Sequence, residues 1–193
     1  MRFRTFCAIG IVVMSAVAAC GGSSGSENFT EEDVVQILDA APPLPEGSSW
    51  TADGALDQLS FAEFRKEVEA ERPGSKDIAQ LAQAGFERRF HQAWASSGNS
   101  AVGAAVLFRD EAGADTGFEA LQYLTPGWFF AQPVSDLGDE AVSSHAEPGA
   151  VYMWRRGDVV LYAWMFRDRG SSFDYDAAAR AYADQLDQRA TAE

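Results

Sequence analysis

Cysteine and histidine are scarce in this 193-residue chain, with two of each. Cys7 lies inside an N-terminal apolar run and Cys20 closes it, so everything downstream is free of cysteine. That excludes disulfides, thiol catalysis and every cysteine-based metal motif from the remainder, which must be held by its core alone. His91 and His145 stand far apart, and a two-histidine site would need partners from a distant loop. The run Arg88-Arg89-Phe90-His91 is expected to put His91 on a helix surface. No serine has the nucleophile-elbow context of a hydrolase. No cofactor, metal or catalytic residue is expected, and the chain reads as a non-enzyme.

Positive charge is short as well. Fifteen Lys and Arg face 29 Asp and Glu, a net charge of -14, which becomes about -16 once Arg2 and Arg4 are set aside. Such a balance repels nucleic acid and anionic lipid headgroups and argues against both as electrostatic partners. Long apolar runs are missing too. Phe6 to Ala19 carries no charge but falls short of the roughly 20 residues that span a bilayer.

What the N-terminus does have is order. Arg2 and Arg4 precede the apolar run, small residues crowd its end, and Gly21-Gly22-Ser23-Ser24-Gly25-Ser26 follows. These are the parts of an export leader and a flexible tether. The junction between them, Val17-Ala18-Ala19-Cys20, resembles the lipobox of bacterial lipoproteins. The resemblance implies cleavage between Ala19 and Cys20, lipid such as palmitate on Cys20, and attachment to the extracytoplasmic face of the cell membrane. It divides the chain into a signal peptide (1–19), a lipidated cysteine with its tether (20–29) and a single globular domain (30–193), long enough to bury a core. The sequon Asn28-Phe29-Thr30 is expected to be inert in that setting.

Thr30-Glu31-Glu32-Asp33 opens the domain with a helix. Thr30 caps it, the acids suit the positive end of its dipole, Val34, Ile37, Leu38 and Ala41 follow at helical spacing, and Pro42-Pro43 ends it. Leu44 to Gln58 reads as irregular. Ser60-Phe61-Ala62-Glu63 has the form of a capping box, and Phe64 and Val68 carry a second helix to Arg72-Pro73-Gly74. Ile78, Ala82, Phe86, Phe90 and Trp94 recur every fourth residue and predict a long third helix, with Gly85 inside it marking a close approach by another backbone. Ala101 to Arg109 predicts a strand apolar on both faces. Val102, Val106 and Phe108 point one way with Ala104 between them, while Ala101, Gly103, Ala105 and Leu107 form a smaller face suited to close packing by the third helix. A fourth helix carries Ala114, Phe118, Leu121 and Leu124.

Past the turn Thr125-Pro126-Gly127-Trp128 the chain turns to strands: Trp128 to Val134 at an edge, Ala141 to His145, then a hairpin of Ala150–Arg156 and Val159–Arg167 about Gly157-Asp158. In that hairpin Trp154 is expected opposite Leu161 and Val151 opposite Trp164. A last helix is expected from Phe173 to Arg189. The sum is an α+β fold, an antiparallel sheet with a C-terminal hairpin, packed by helices on both faces.

The order helix, strand, Arg109-Asp110-Glu111-Ala112-Gly113-Ala114 into helix, then Leu137-Gly138-Asp139-Glu140-Ala141 and Trp154-Arg155-Arg156-Gly157-Asp158-Val159-Val160, resembles a broad group of bacterial surface lipoproteins. Those are similar to extracellular sensor domains of actinobacterial membrane kinases and to the fold of the extrinsic photosystem II protein. The resemblance spans most of Gln80 to Leu186. Its motifs are turns and strand ends, so it implies a fold and a non-catalytic binding or sensing role rather than any chemistry. The kinase sensor domains often carry disulfides, which this chain lacks.

Three further features invite chemistry and have plainer readings. Asp136, Asp139 and Glu140 around Gly138 lack the alternating oxygen ligands and terminal glutamate of a calcium loop, and read as a solvated charged turn. Arg156-Gly157-Asp158 matches an adhesion tripeptide, but glycine and aspartate are what a hairpin tip needs. The aromatic residues Trp50, Trp94, Trp128, Trp154 and Trp164, with Phe129, Phe130, Tyr152, Tyr162 and Phe166, fill a core that has no disulfides. Even so, Trp128-Phe129-Phe130 ahead of Gln132-Pro133 reads as more exposed than a central strand. A groove between sheet and helix lined by some of these rings would hold an apolar ligand or a partner peptide, with Trp128 and Phe130 the residues to test.

Two functions follow. One is a lipid-anchored extracytoplasmic binding or sensing module whose partner is an envelope protein or envelope molecule. The other is a carrier of a lipid or other apolar small molecule in an aromatic-lined cavity. A continuous apolar pocket favours the carrier, and a filled core with an exposed flat patch favours the protein-binding module.

Overall fold

The computed structural model describes residues 28–43, 49–96, 98–124, 132–146, 148–167 and 174–192. Among them are five helices, α1 (Glu31–Leu38), α2 (Phe61–Glu71), α3 (Lys76–Gln83), α4 (Glu111–Leu124) and α5 (Tyr175–Ala190). Eight strands accompany them: β1 (Thr51–Ala52), β2 (Asp57–Ser60), β3 (Phe86–Ser96), β4 (Asn99–Phe108), β5 (Gln132–Pro133), β6 (Glu140–Ala146), β7 (Gly149–Arg156) and β8 (Val159–Arg167). They form one open antiparallel sheet in the order β1-β3-β4-β8-β7-β6-β5, with β2 also paired to β3. This is the expected α+β class.

The helices that start where capping chemistry was expected do so for that reason. Thr30 Oγ1 accepts from the Asp33 backbone N–H while the Asp33 carboxylate accepts from the Thr30 N–H, and Ser60 and Glu63 repeat the exchange at the start of α2. α1 ends at Leu38, ahead of Pro42. The β7–β8 hairpin has the expected register, Trp154 opposite Leu161 and Val151 opposite Trp164.

The sheet is covered on both faces because β4 and β8 are apolar on both. α1 and α5 lie on one side, burying Val34, Ile37, Leu38, Tyr182 and Leu186 against Phe90, Ala105, Trp154 and Leu161. α2, α3 and α4 lie on the other, burying Phe64, Ile78, Leu81, Phe118 and Leu121 against Val106, Phe108, Met153 and Val160. Each large side chain so buried stabilises the fold by about 1.5–3 kcal/mol relative to exposure. The split along β4 is the expected one, but the helices on its smaller face are α1 and α5.

The long third helix is corrected. α3 stops at Gln83, and Gly85 takes a left-handed φ of 78° that breaks the helix before β3. Residues four apart share a face in a strand as in a helix, so Phe86, Phe90 and Trp94 fitted both readings. The close approach at Gly85 is real: its carbonyl accepts the Arg109 N–H at 3.0 Å, and a β-carbon there would meet Arg109 Cβ at 3.2 Å. A β-bulge between Phe86 and Arg88 then reverses the alternation. Phe86 therefore packs with Phe61, Phe64 and Phe108 on the α2 side, while Phe90 is buried under α1 and α5. His91 consequently sits on a strand, paired with Asp57 on β2 and Ala104 on β4.

β1 and β2 correct the irregular reading of Leu44 to Gln58 over its second half; residues 44–48 lie outside the described residues. Of the expected edge strand Trp128 to Val134, Gln132 and Pro133 form β5 at the sheet edge, and Trp128, Phe129 and Phe130 lie outside the described residues.

Candidate functional site

Period-two alternation sends Val102, Ala104 and Val106 of β4, and Tyr162, Trp164 and Phe166 of β8, toward the α2–α4 side of the sheet. Ala104 is the small residue at the centre of this floor. α2 turns Phe64, Glu67, Val68 and Glu71 inward at positions i, i+3, i+4 and i+7, and the last turn of α4 adds Leu121 and Leu124. The two helices stand apart over the low floor, leaving a groove of about 410 Å³. That volume lies in the range of small-molecule sites, roughly 300–1,000 Å³.

The walls are chemically unequal. The floor and the α4 side are apolar, with the Trp164 and Phe166 rings 4.7 Å apart. The α2 side is polar, because Arg89 and His91 of β3 face Glu67 and Glu71 across it. Arg89 pairs with Glu67 at 3.4 Å and lies over the Phe64 ring at 5.7 Å. Burial, and then the Arg89 charge, push the His91 imidazole below its usual 6.5 against the opposing pull of Asp57, so it is neutral at pH 7. The arrangement accommodates an apolar chain or ring system beside a single polar wall.

His145, the other histidine, does meet a carboxylate. Its Nδ1 lies 2.8 Å from Asp176 Oδ1 and its Nε2 3.1 Å from Ser143 Oγ, while the Tyr152 hydroxyl donates to the same carboxylate oxygen at 3.1 Å. Burial and the Asp176 charge raise the Tyr152 phenol to about 12. Serine, histidine and aspartate are thus in the order of a catalytic triad. Yet Ser143 is 4 % exposed in the middle of β6, flanked by paired strands, so its hydroxyl is closed to a substrate carbonyl. The network docks the first turn of α5 onto β6.

The remaining motifs take the plainer role. Asp139 accepts the Gly157 N–H at 2.9 Å and pairs with Arg155, which also reaches Glu111 and Asp115, so its carboxylate is engaged. No group of three metal-ligating residues occurs among the described residues. Arg156 grips Asp187 with two bonds of 2.9 Å and Asp158 is 4 % exposed, so the tripeptide is not presented as an adhesion loop. Ala19, Cys20, Trp128 and Phe130 lie outside the described residues. The groove residues Phe64, Val68, Leu121 and Leu124 were legible in sequence only as helix core, and nothing in their spacing marks a gap between two helices.

The fold is thus an open antiparallel sheet with helices on both faces and an apolar groove on one. No family model matches this chain, and no curated protein does. Among solved structures, the extracellular domain of PknH from Mycobacterium tuberculosis is similar over 83% of this chain and 93% of that one, at 10% sequence identity and a TM-score of 0.30. No helix of the described residues is long and apolar enough to cross a membrane.

Proposed function

We propose that this chain is a lipid-anchored, extracytoplasmic binding protein that carries an apolar small molecule in the groove between α2, α4 and the sheet. The groove itself supports the reading: about 410 Å³ of space over a floor of Val102, Ala104, Val106 and Trp164. A flat protein-docking patch has less support, since Tyr123 is the only large exposed hydrophobic side chain among the described residues. Attachment rests on the lipobox Val17-Ala18-Ala19-Cys20.

Two measurements test the two halves. Nile red, a neutral apolar dye, should bind the purified chain saturably with a blue-shifted emission. Ala104→Leu, which raises the floor, should abolish that binding while the circular dichroism stays native, and Trp164→Ala should weaken it. Dye binding indifferent to both changes would sink the groove as the site. For the anchor, Cys20→Ala should remain unprocessed or leave the membrane fraction; normal processing and retention would remove the lipoprotein reading.

A further inference from the structure

The polar wall of the groove is out of charge balance. Glu67 and Glu71 stand one turn apart on α2, and among the described residues that line the groove Arg89 is the single Arg or Lys, already drawn to Glu67 and to the Phe64 ring. No ion pair among the described residues engages Glu71. Two carboxylates against one guanidinium and a neutral imidazole leave the wall negative, beside a floor with no charge at all. A carboxylate or phosphate headgroup brought there would meet repulsion from Glu71, with no free Arg or Lys in return among the described lining residues. A cation would meet the carboxylates instead.

The volume sets the rest of the molecule. A groove of about 410 Å³ lies at the small end of the range for small-molecule sites and suits one chain better than two. Resting on the groove reading above, we propose that the ligand class is a single-chain amphiphile with a cationic headgroup, its chain lying over Ala104 between Leu121 and Trp164 and its head against Glu71 and Glu67.

The test is calorimetric titration of the purified chain with dodecyltrimethylammonium and, separately, with dodecanoate, each below its micelle concentration at low salt. The cation should bind about tenfold more tightly, and the preference should shrink as salt is raised. Glu67→Gln with Glu71→Gln should bring the two affinities together while dodecyltrimethylammonium still binds through its chain. Glu32→Gln with Asp39→Asn, which removes the same charge from α1 on the opposite face, should leave the preference intact. Equal or tighter binding of dodecanoate, or a preference that follows net charge in both double variants, overturns the headgroup assignment and leaves the groove standing. Binding of neither amphiphile overturns the groove reading with it.

Discussion

The Tyr182 hydroxyl fills the space that a side chain on Gly103 would need: a β-carbon there would lie 2.4 Å from that oxygen and 3.3 Å from Leu38 Cδ2. Glycine on β4 is thus what lets α5 and α1 seat against the sheet. Burial drives the phenol well above its usual range, and the Trp94 indole approaches the hydroxyl without reaching hydrogen-bond geometry, so both polar atoms stay unpaired.

Gly103→Ala should therefore destabilise the chain by about 1–3 kcal/mol, the usual cost of overpacking. Tyr182→Phe alone should cost less than about 0.5 kcal/mol, because the hydroxyl it removes makes no net bond. The double variant should recover most of the Gly103→Ala loss. A urea double-mutant cycle reads the coupling; additive losses would contradict the contact.

Asp158 gives a pH signature. It is buried at the β7–β8 turn, where its Oδ1 accepts the Phe29 N–H at 2.9 Å. Burial raises its pKa above the usual 3.8, with Glu87 and Asp110 adding to the rise and the backbone bonds opposing it. A carboxyl harder to ionise in the native state contributes most below its unfolded pKa and progressively less as pH rises through the folded value. Asp158→Asn keeps the acceptor and drops the charge. Its stability relative to the parent should rise across that acidic window and level off by neutral pH, whereas Asp158→Ala should lose stability. Chemical denaturation at a series of pH values separates these outcomes.

His91 gives the opposite slope. Its folded pKa lies below 6.5, so as pH falls through 6.5 the unfolded chain takes up a proton before the native one does, and stability declines. The charges around it are Asp57 on β2, Arg89 on β3, and Glu67 and Glu71 on α2. His91→Gln should flatten that part of the profile. Nile red affinity in the parent should be level above pH 6.5 and fall below it as charge enters the groove, while His91→Gln should stay level throughout.

Arg156 and Asp187 are each 15 % exposed and joined by two bonds of 2.9 Å. A lysine cannot reproduce that fork. Arg156→Lys should cost about 1 kcal/mol and Arg156→Ala about 2 kcal/mol, the second leaving Asp187 half-buried without its partner. Thermal unfolding checks the order; a Lys variant with the parent's midpoint would show that only the charge matters.

Much of this architecture is written in local chemistry. Thr30 and Ser60 announce their helices through capping exchanges, and Gly157-Asp158 fixes a hairpin register that places Val151 opposite Trp164. The third helix was misread because a spacing of four cannot separate helix from strand, and Gly85 was the one residue that could have divided them. β1 and β2 escaped notice because they are short and largely exposed, with no buried alternation to see. The groove was out of reach for another reason. Phe64, Ala104, Leu121 and Trp164 come from four elements, and an empty space between helices leaves no mark on any one of them.

The bond from Phe29 to Asp158 also gives the molecule a top and a bottom. Whatever holds this chain by its N-terminus holds it at the β7–β8 turn. Phe166, where the groove floor ends on β8, is eight residues along from Asp158, about 25 Å at the rise of a strand. The entry of the chain at Phe29 and the groove end at Phe166 are thereby set at opposite ends of β8.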